Sequence, residues 1–156
     1  MKKNVIVKKA RIDDSEDILN WRNDSLAREM FRSSDVVLQE NHKEWFESTL
    51  KNKQRLLLIC EDVSTAEKIG VIRLDLHKDQ TEAEISLNIS PQMRRKRYAK
   101  PCLEAALDYL LKTHPKCKKV IAEIKKINVG SKKSFEGVGF KMTSESDIFF
   151  QYHLNF

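Results

Sequence analysis

The sequence predicts an α+β fold: a central, mostly antiparallel sheet with helices on both faces, in three layers. Three observations carry that prediction. Two β-rich runs, 55–63 and 69–78, are separated by the loop Ser64-Thr65-Ala66-Glu67-Lys68. A third run follows, in which Glu82, Glu84, Ser86 and Asn88 alternate with Ala83, Ile85, Leu87 and Ile89. Period-2 runs joined by short turns make an antiparallel meander. A helix-period run over 99–111 then intervenes before a further alternating stretch at 119–126. A crossover of that length brings the strands on either side of it into a parallel pair.

The remaining elements follow in order. Val5, Ile6 and Val7 between lysines predict a first strand, and Asp13-Asp14-Ser15 supplies N-cap chemistry for a helix carrying Ile18, Leu19, Trp21 and Arg22. That helix should stop near Asn23-Asp24. A short helix is expected over 26–31, and another over 41–50 with Trp45, Phe46 and Leu50 on one face. Asp79-Gln80 turns the second meander strand into the third. In the long helix Leu103, Ala106, Leu107, Leu110 and Leu111 recur at helical spacing, and Val120, Ala122 and Ile124 mark the strand after it. A short helix over 131–136 and a strand over 148–154 complete the chain. No repeat or linker interrupts it, so one domain is expected over 1–156.

Bulk properties narrow the function. Cys60, Cys102 and Cys117 are an odd, scattered set with neither disulfide spacing nor the spacing of a metal site, which predicts a reducing, cytoplasmic setting and no metal. No run approaches the ~20 apolar residues of a bilayer span, and the basic N-terminus lacks the apolar stretch of a signal peptide, so no membrane role is expected. The net charge of +6 asks for an anionic partner without choosing among nucleic acid, lipid and a phosphorylated small molecule.

The most informative stretch is Arg94-Arg95-Lys96-Arg97 before Tyr98-Ala99, at the start of the long helix. Cations there oppose the helix dipole. They make sense where exposed amides and side chains together bind a polyanion, and the alternative is a solvated basic loop.

The run Ile85-Ser86-Leu87-Asn88-Ile89-Ser90-Pro91, followed by this basic turn, resembles the strand, turn and helix of the GNAT acetyltransferase superfamily, whose turn motif is Q/RxxGxG/A. Arg94 matches the first position and Ala99 the last, while Arg97 stands where the family has glycine. A second match lies downstream: Asn128, Ser131 and Phe135-Glu136-Gly137-Val138-Gly139-Phe140 resemble the family's NxxSxxxYEKLGF segment. The resemblance implies an acetyl-CoA-dependent N-acetyltransferase. It places the cofactor against Leu87, Asn88, Ile89, Arg94, Arg95, Lys96, Arg97, Tyr98, Ala99, Asn128, Ser131 and Phe135.

The same resemblance implies finer detail. A strand irregularity near residues 87–89 should orient the thioester carbonyl, and Arg97, in place of the glycine, can still donate its amide provided its φ is negative. Asn128 should lie beside the pantetheine arm, with a turn residue ahead of a helix as the alternative. Gly139-Phe140 should lead into a terminal hairpin. Phe135 occupies the place of the family's acidic tyrosine, facing the departing sulfur, so solvent is expected to protonate the thiolate. For the base, Glu84 ranks first, ahead of Glu82, Asp75, His77 and His42.

The acceptor is addressed by Trp21-Arg22-Asn23 and by His42-Lys43-Glu44-Trp45-Phe46, which resemble the WRN and HxxWF segments of enzymes acting on nucleotide-linked amino sugars in pseudaminic and related nonulosonic acid biosynthesis. That resemblance implies acetylation of a 4-amino group, with Arg22, Asn23, His42 and Trp45 at the substrate. The segments resemble, more loosely, those of ribosomal-protein N-terminal acetyltransferases, which need an open peptide groove. Two further readings are an acyl-CoA binder without turnover and a basic nucleic-acid module. The second lacks the interleaved aromatics of such surfaces. A homodimer stays open.

Overall fold

The computed structural model describes residues 3–156; Met1 and Lys2 of the expected 1–156 domain lie outside the described residues. The strands are β1 (Val5–Lys9), β2 (Arg55–Asp62), β3 (Lys68–His77), β4 (Glu82–Ile89), β5 (Lys119–Lys125), β6 (Lys141–Glu145) and β7 (Phe149–Asn155). The helices are α1 (Ser15–Asn23), α2 (Ser25–Met30), α3 (Gln39–Lys51), α4 (Ala99–Thr113) and α5 (Val129–Val138). One sheet runs in the order β1-β2-β3-β4-β5-β7-β6, and β4–β5 is its parallel pair.

Both sheet faces are covered, which explains why β2 and β3 read as nearly unbroken apolar runs. On one face Leu58, Cys60, Ile72, Leu74 and Ile85 pack under Leu103, Ala106 and Leu110 of α4. On the other, Leu57, Ile59 and Val71 meet Ile18 and Trp21 of α1 and Phe46 of α3. Removing a fully buried side chain such as Leu110 would cost about 2–5 kcal/mol.

The pairing of β4 prepares the site. It meets β5 only through Glu82–Lys119, Ala83–Val120 and Glu84–Ile121, after which the strands part. On its other edge β4 stays in register with β3 from His77–Glu82 to Gly70–Ile89. The irregularity expected near residues 87–89 is therefore not a bulge in that pairing; register shifts lie instead at Cys60/Glu61 and Met142/Ser144. Parallel strands tied by a long crossover can diverge as the sheet twists.

Two elements differ from expectation. β6 is exposed at every residue, so it carries no alternation for a sequence pattern to detect. α5 is longer than 131–136 because Asn128 caps it at one end and Gly139, at φ +113, terminates it at the other.

Candidate active site

The Ser90 N–H donates to Ile69 O across the β3 edge. Strand alternation then turns the amides of Leu87 and Ile89 the other way, into the gap that β5 has left. Their side chains pack against the α4-side core, so these two residues offer the gap their backbone. An extended ligand carrying amides of its own can pair with this edge.

Beyond Ile89 the chain turns into α4. Arg95 (φ +60) and Arg97 (φ +64) are both left-handed, and Tyr98 is right-handed, an alternation that makes a concave nest of amides. No side chain caps α4, and no acid sits in its first turn. Arg95, Lys96 and Arg97 are exposed around it. Uncapped amides ringed by cations form an oxyanion site. The expectation of a negative φ at Arg97 is thus corrected: the arginine adopts the glycine-like conformation itself, at a cost of about 1–2 kcal/mol.

Other residues expected at the cofactor are committed elsewhere. The Arg94 guanidinium lies 2.8 Å from Asp24, the residue whose carboxylate caps α2. Tyr98 is buried in the core and donates its hydroxyl to Asp62, which together with burial pushes the phenol up to about 12. Asn128 accepts the Ser131 N–H at 3.1 Å, the helix-cap role. Phe135 is 2% exposed and meets Phe140 edge-on at 5.0 Å, so it is a core residue and presents no face to a departing thiol.

On the α1/α3 side of β4 lies a cavity of about 500 Å³. Ser86 and Asn88 form part of its floor with Leu57, Val71 and Arg73, and Arg22, His42 and Trp45 line its walls. Residues 31–38 form a strap beside it that is held at several points. Asn23 donates to Val37 O at 2.8 Å and accepts the Val37 N–H at 2.7 Å, while Arg22 donates to Ser33 O and Arg28 to Ser34 O. Arg32 of the strap ion-pairs with Glu123 of β5, across the gap. Asn23 is therefore the strap's clamp and not part of the cavity lining, unlike Arg22, His42 and Trp45.

Glu84 does not line the cavity. It is exposed, 4.0 Å from His77. Alternation puts it on the correct face of β4, but β4 and β5 are still paired there, and the cavity begins at Ser86, about 7 Å further along the strand. Asp75 is held by Arg55 and Arg73, and Glu82 pairs with Lys78 and Lys119. Among the lining groups, only His42 can take up a proton near neutral pH. Its Nε2 sits 3.0 Å from Ser15 O, the geometry of an N–H donor, and burial lowers its pKa. Sequence reasoning missed Arg73, although its cross-strand position opposite Ser86 follows from the hairpin register.

The family model for the acetyltransferase (GNAT) domain matches residues 4–141. The chain belongs to the GNAT acetyltransferase family. It is an N-acetyltransferase of the GNAT type, with acetyl-CoA as the donor. This GNAT chain shares its fold with a domain from Methanocaldococcus jannaschii at TM-score 0.84 and 23% identity, covering 99% of this chain and 100% of that one. Spermidine N-acetyltransferase from Vibrio cholerae, solved with CoA and spermine, superposes at TM-score 0.86 with 17% identity over 97% and 95%. An aminoglycoside acetyltransferase solved with coenzyme A gives TM-score 0.81 at 15% identity over 97% and 95%. No curated protein sequence matches significantly. Among the described residues of this GNAT enzyme, no helix is long and apolar enough to cross a membrane.

Proposed function

We propose that this acetyltransferase modifies a small-molecule primary amine, the 4-amino group of a nucleotide-linked amino sugar. The observation that carries this reading is the strap: residues 31–38, pinned by Asn23, Arg22 and Arg28, roof the cavity beside Ser86 and Asn88. A protein N-terminus would need an open groove.

The residues present fit the donor. Arg95, Lys96, Arg97 and the uncapped start of α4 suit its phosphates, and the free amides of Leu87 and Ile89 suit its amide-bearing arm. When bound, acetyl-CoA supplies an acyl group activated as a thioester. The acceptor amine lies on the other side of β4, against Ser86 and Asn88, and His42 takes its proton. Residues 1–156 act as one catalytic domain in the cytoplasm.

The test is a mass-spectrometric screen of nucleotide-linked amino sugars and of peptides with free N-termini, each with acetyl-CoA and purified enzyme. Acetylated sugar nucleotide is the expected product. Acetylated peptide alone would overturn the reading, and so would absence of thiol release with every sugar nucleotide.

A further inference from the structure

We infer that Arg22 and Arg73 form an oxyanion clamp at the wall of the acceptor cavity, so that the acceptor presents a phosphate or carboxylate group alongside its amine. The inference rests on the small-molecule reading above and adds the charge of the substrate to it.

The cavity lining contains Arg22, Arg32 and Arg73 and, among the described residues, no carboxylate. Arg32 is already neutralised by Glu123. Arg73 uses Nε towards Asp75 at 3.3 Å, an edge contact that leaves its two terminal nitrogens. Arg22 is more telling. Its guanidinium carbon lies 4.1 Å from the centre of the Phe31 ring, and Nη2 donates to Ser33 O at 3.1 Å, which fixes the side chain in place. Nη1 is buried with no hydrogen-bond partner among the described residues.

A buried, unsatisfied guanidinium nitrogen is costly, and a second cation nearby raises the cost. Burial, then Arg73, then Arg28 all disfavour the charged form of Arg22. An oxyanion in the cavity would offset the repulsion between Arg22 and Arg73 and bond the free terminal nitrogens of Arg73, and a small turn of the Arg22 guanidinium out of its packing would bring Nη1 to the same ligand. A polycation such as spermidine would meet these charges without a counter-ion.

Two measurements test the clamp in the full chain. In enzyme saturated with coenzyme A, so that the donor's phosphate site is filled, inorganic pyrophosphate should change the fluorescence of Trp45, which lines the same cavity. That response should vanish in Arg73→Gln. In turnover assays, an amino sugar is compared with its phosphate ester, and an amino acid with its amide. One oxyanion-bearing member should win by about ten- to a hundredfold in kcat/KM, and the winning pair distinguishes phosphate from carboxylate. Arg22→Gln and Arg73→Gln should narrow that ratio to within about threefold. Arg73→Gln leaves the strap contacts intact should Arg22→Gln loosen them.

No fluorescence response together with equal rates within both pairs, a preference for spermidine, or an unchanged ratio in Arg73→Gln would each overturn the clamp. Acetylation of phosphorylated amines other than sugar nucleotides would sustain the clamp and end the sugar-nucleotide reading. Acetylation of a sugar nucleotide with KM unchanged in Arg73→Gln would do the reverse.

Discussion

Arg97 holds a left-handed backbone that glycine would adopt freely, in the turn we propose for the donor's phosphates. Arg97→Gly should relieve about 1–2 kcal/mol of strain, offset by about 0.5–1 kcal/mol of unfolded-state entropy. Denaturant unfolding should therefore show unchanged or slightly higher stability; a clear loss would mean that the arginine side chain stabilises the loop. At the proposed acceptor cavity, the structure reverses the order in which the sequence ranked two candidate bases, because His42 lines it and Glu84 does not. Glu84→Gln should keep turnover within about threefold, whereas His42→Gln should lower it by about 10² or more near neutral pH. Because burial lowers the His42 pKa, its proton-accepting form persists below the usual value of 6.5. Wild-type kcat/KM should fall only as pH drops through that lowered pKa, and the limb should be absent in the variant. A retained limb would remove His42 from proton transfer.

At the scale of elements, the turn between β4 and α4 divides its four cations by role. Arg94 fastens it to α2 through Asp24, while Arg95, Lys96 and Arg97 are exposed at the uncapped helix. Calorimetry should show that an Arg95, Lys96 and Arg97 triple-alanine variant loses affinity for coenzyme A, with a smaller change for Arg94→Ala. Equal losses would mean that Arg94 leaves Asp24 when the ligand binds. The β3–β4 hairpin offers a separate test. A Cβ at Gly70 would stand 2.4 Å from Asn88 O, a backbone atom. Gly70→Ala should cost about 1–3 kcal/mol and raise the acceptor KM, because the strand it displaces carries Asn88 into the cavity. Unchanged stability and KM would show that the two strands can shift together.

For the molecule as a whole, the buried titrations predict a bounded pH range of stability. His42, His114 and His153 are all lowered, each chiefly by burial. The folded state therefore binds fewer protons than the unfolded one, and stability present above about pH 6.5 is lost as pH falls through the lowered values. Tyr98 and Tyr152 are raised to about 12, Tyr98 first by its bond to Asp62 and Tyr152 first by burial. Their contribution is complete below about pH 10 and is lost as pH rises towards 12. The Cys60 and Cys117 thiols are raised too, Cys60 first by its bond to Cys102 and Cys117 first by burial, so thermal unfolding should give a plateau in Tm from about pH 7 to about 8.5 with a fall on either side. A Tm that climbs between pH 7 and 5 would contradict the sign of all three histidine shifts.

The sequence by itself determined the order of elements apart from β6, the parallel β4–β5 pair and the basic start of α4, because each rests on a local period or a local charge run. It also brought Arg22, His42 and Trp45 to notice through two short segments, and the structure brings these residues to one cavity. Only the tertiary structure decided that Asn23 ties a strap, that Phe135 and Tyr98 are core, and that the cavity begins at Ser86 and not Glu84. Strand alternation specifies a face but not the level at which neighbouring strands separate, and that level follows from how β5 pairs with β7 while α4 carries the crossover. The presence of Arg22 and Arg73 on one cavity was likewise invisible in sequence, because two residues 51 positions apart come to one site only through the packing of α1 on the sheet.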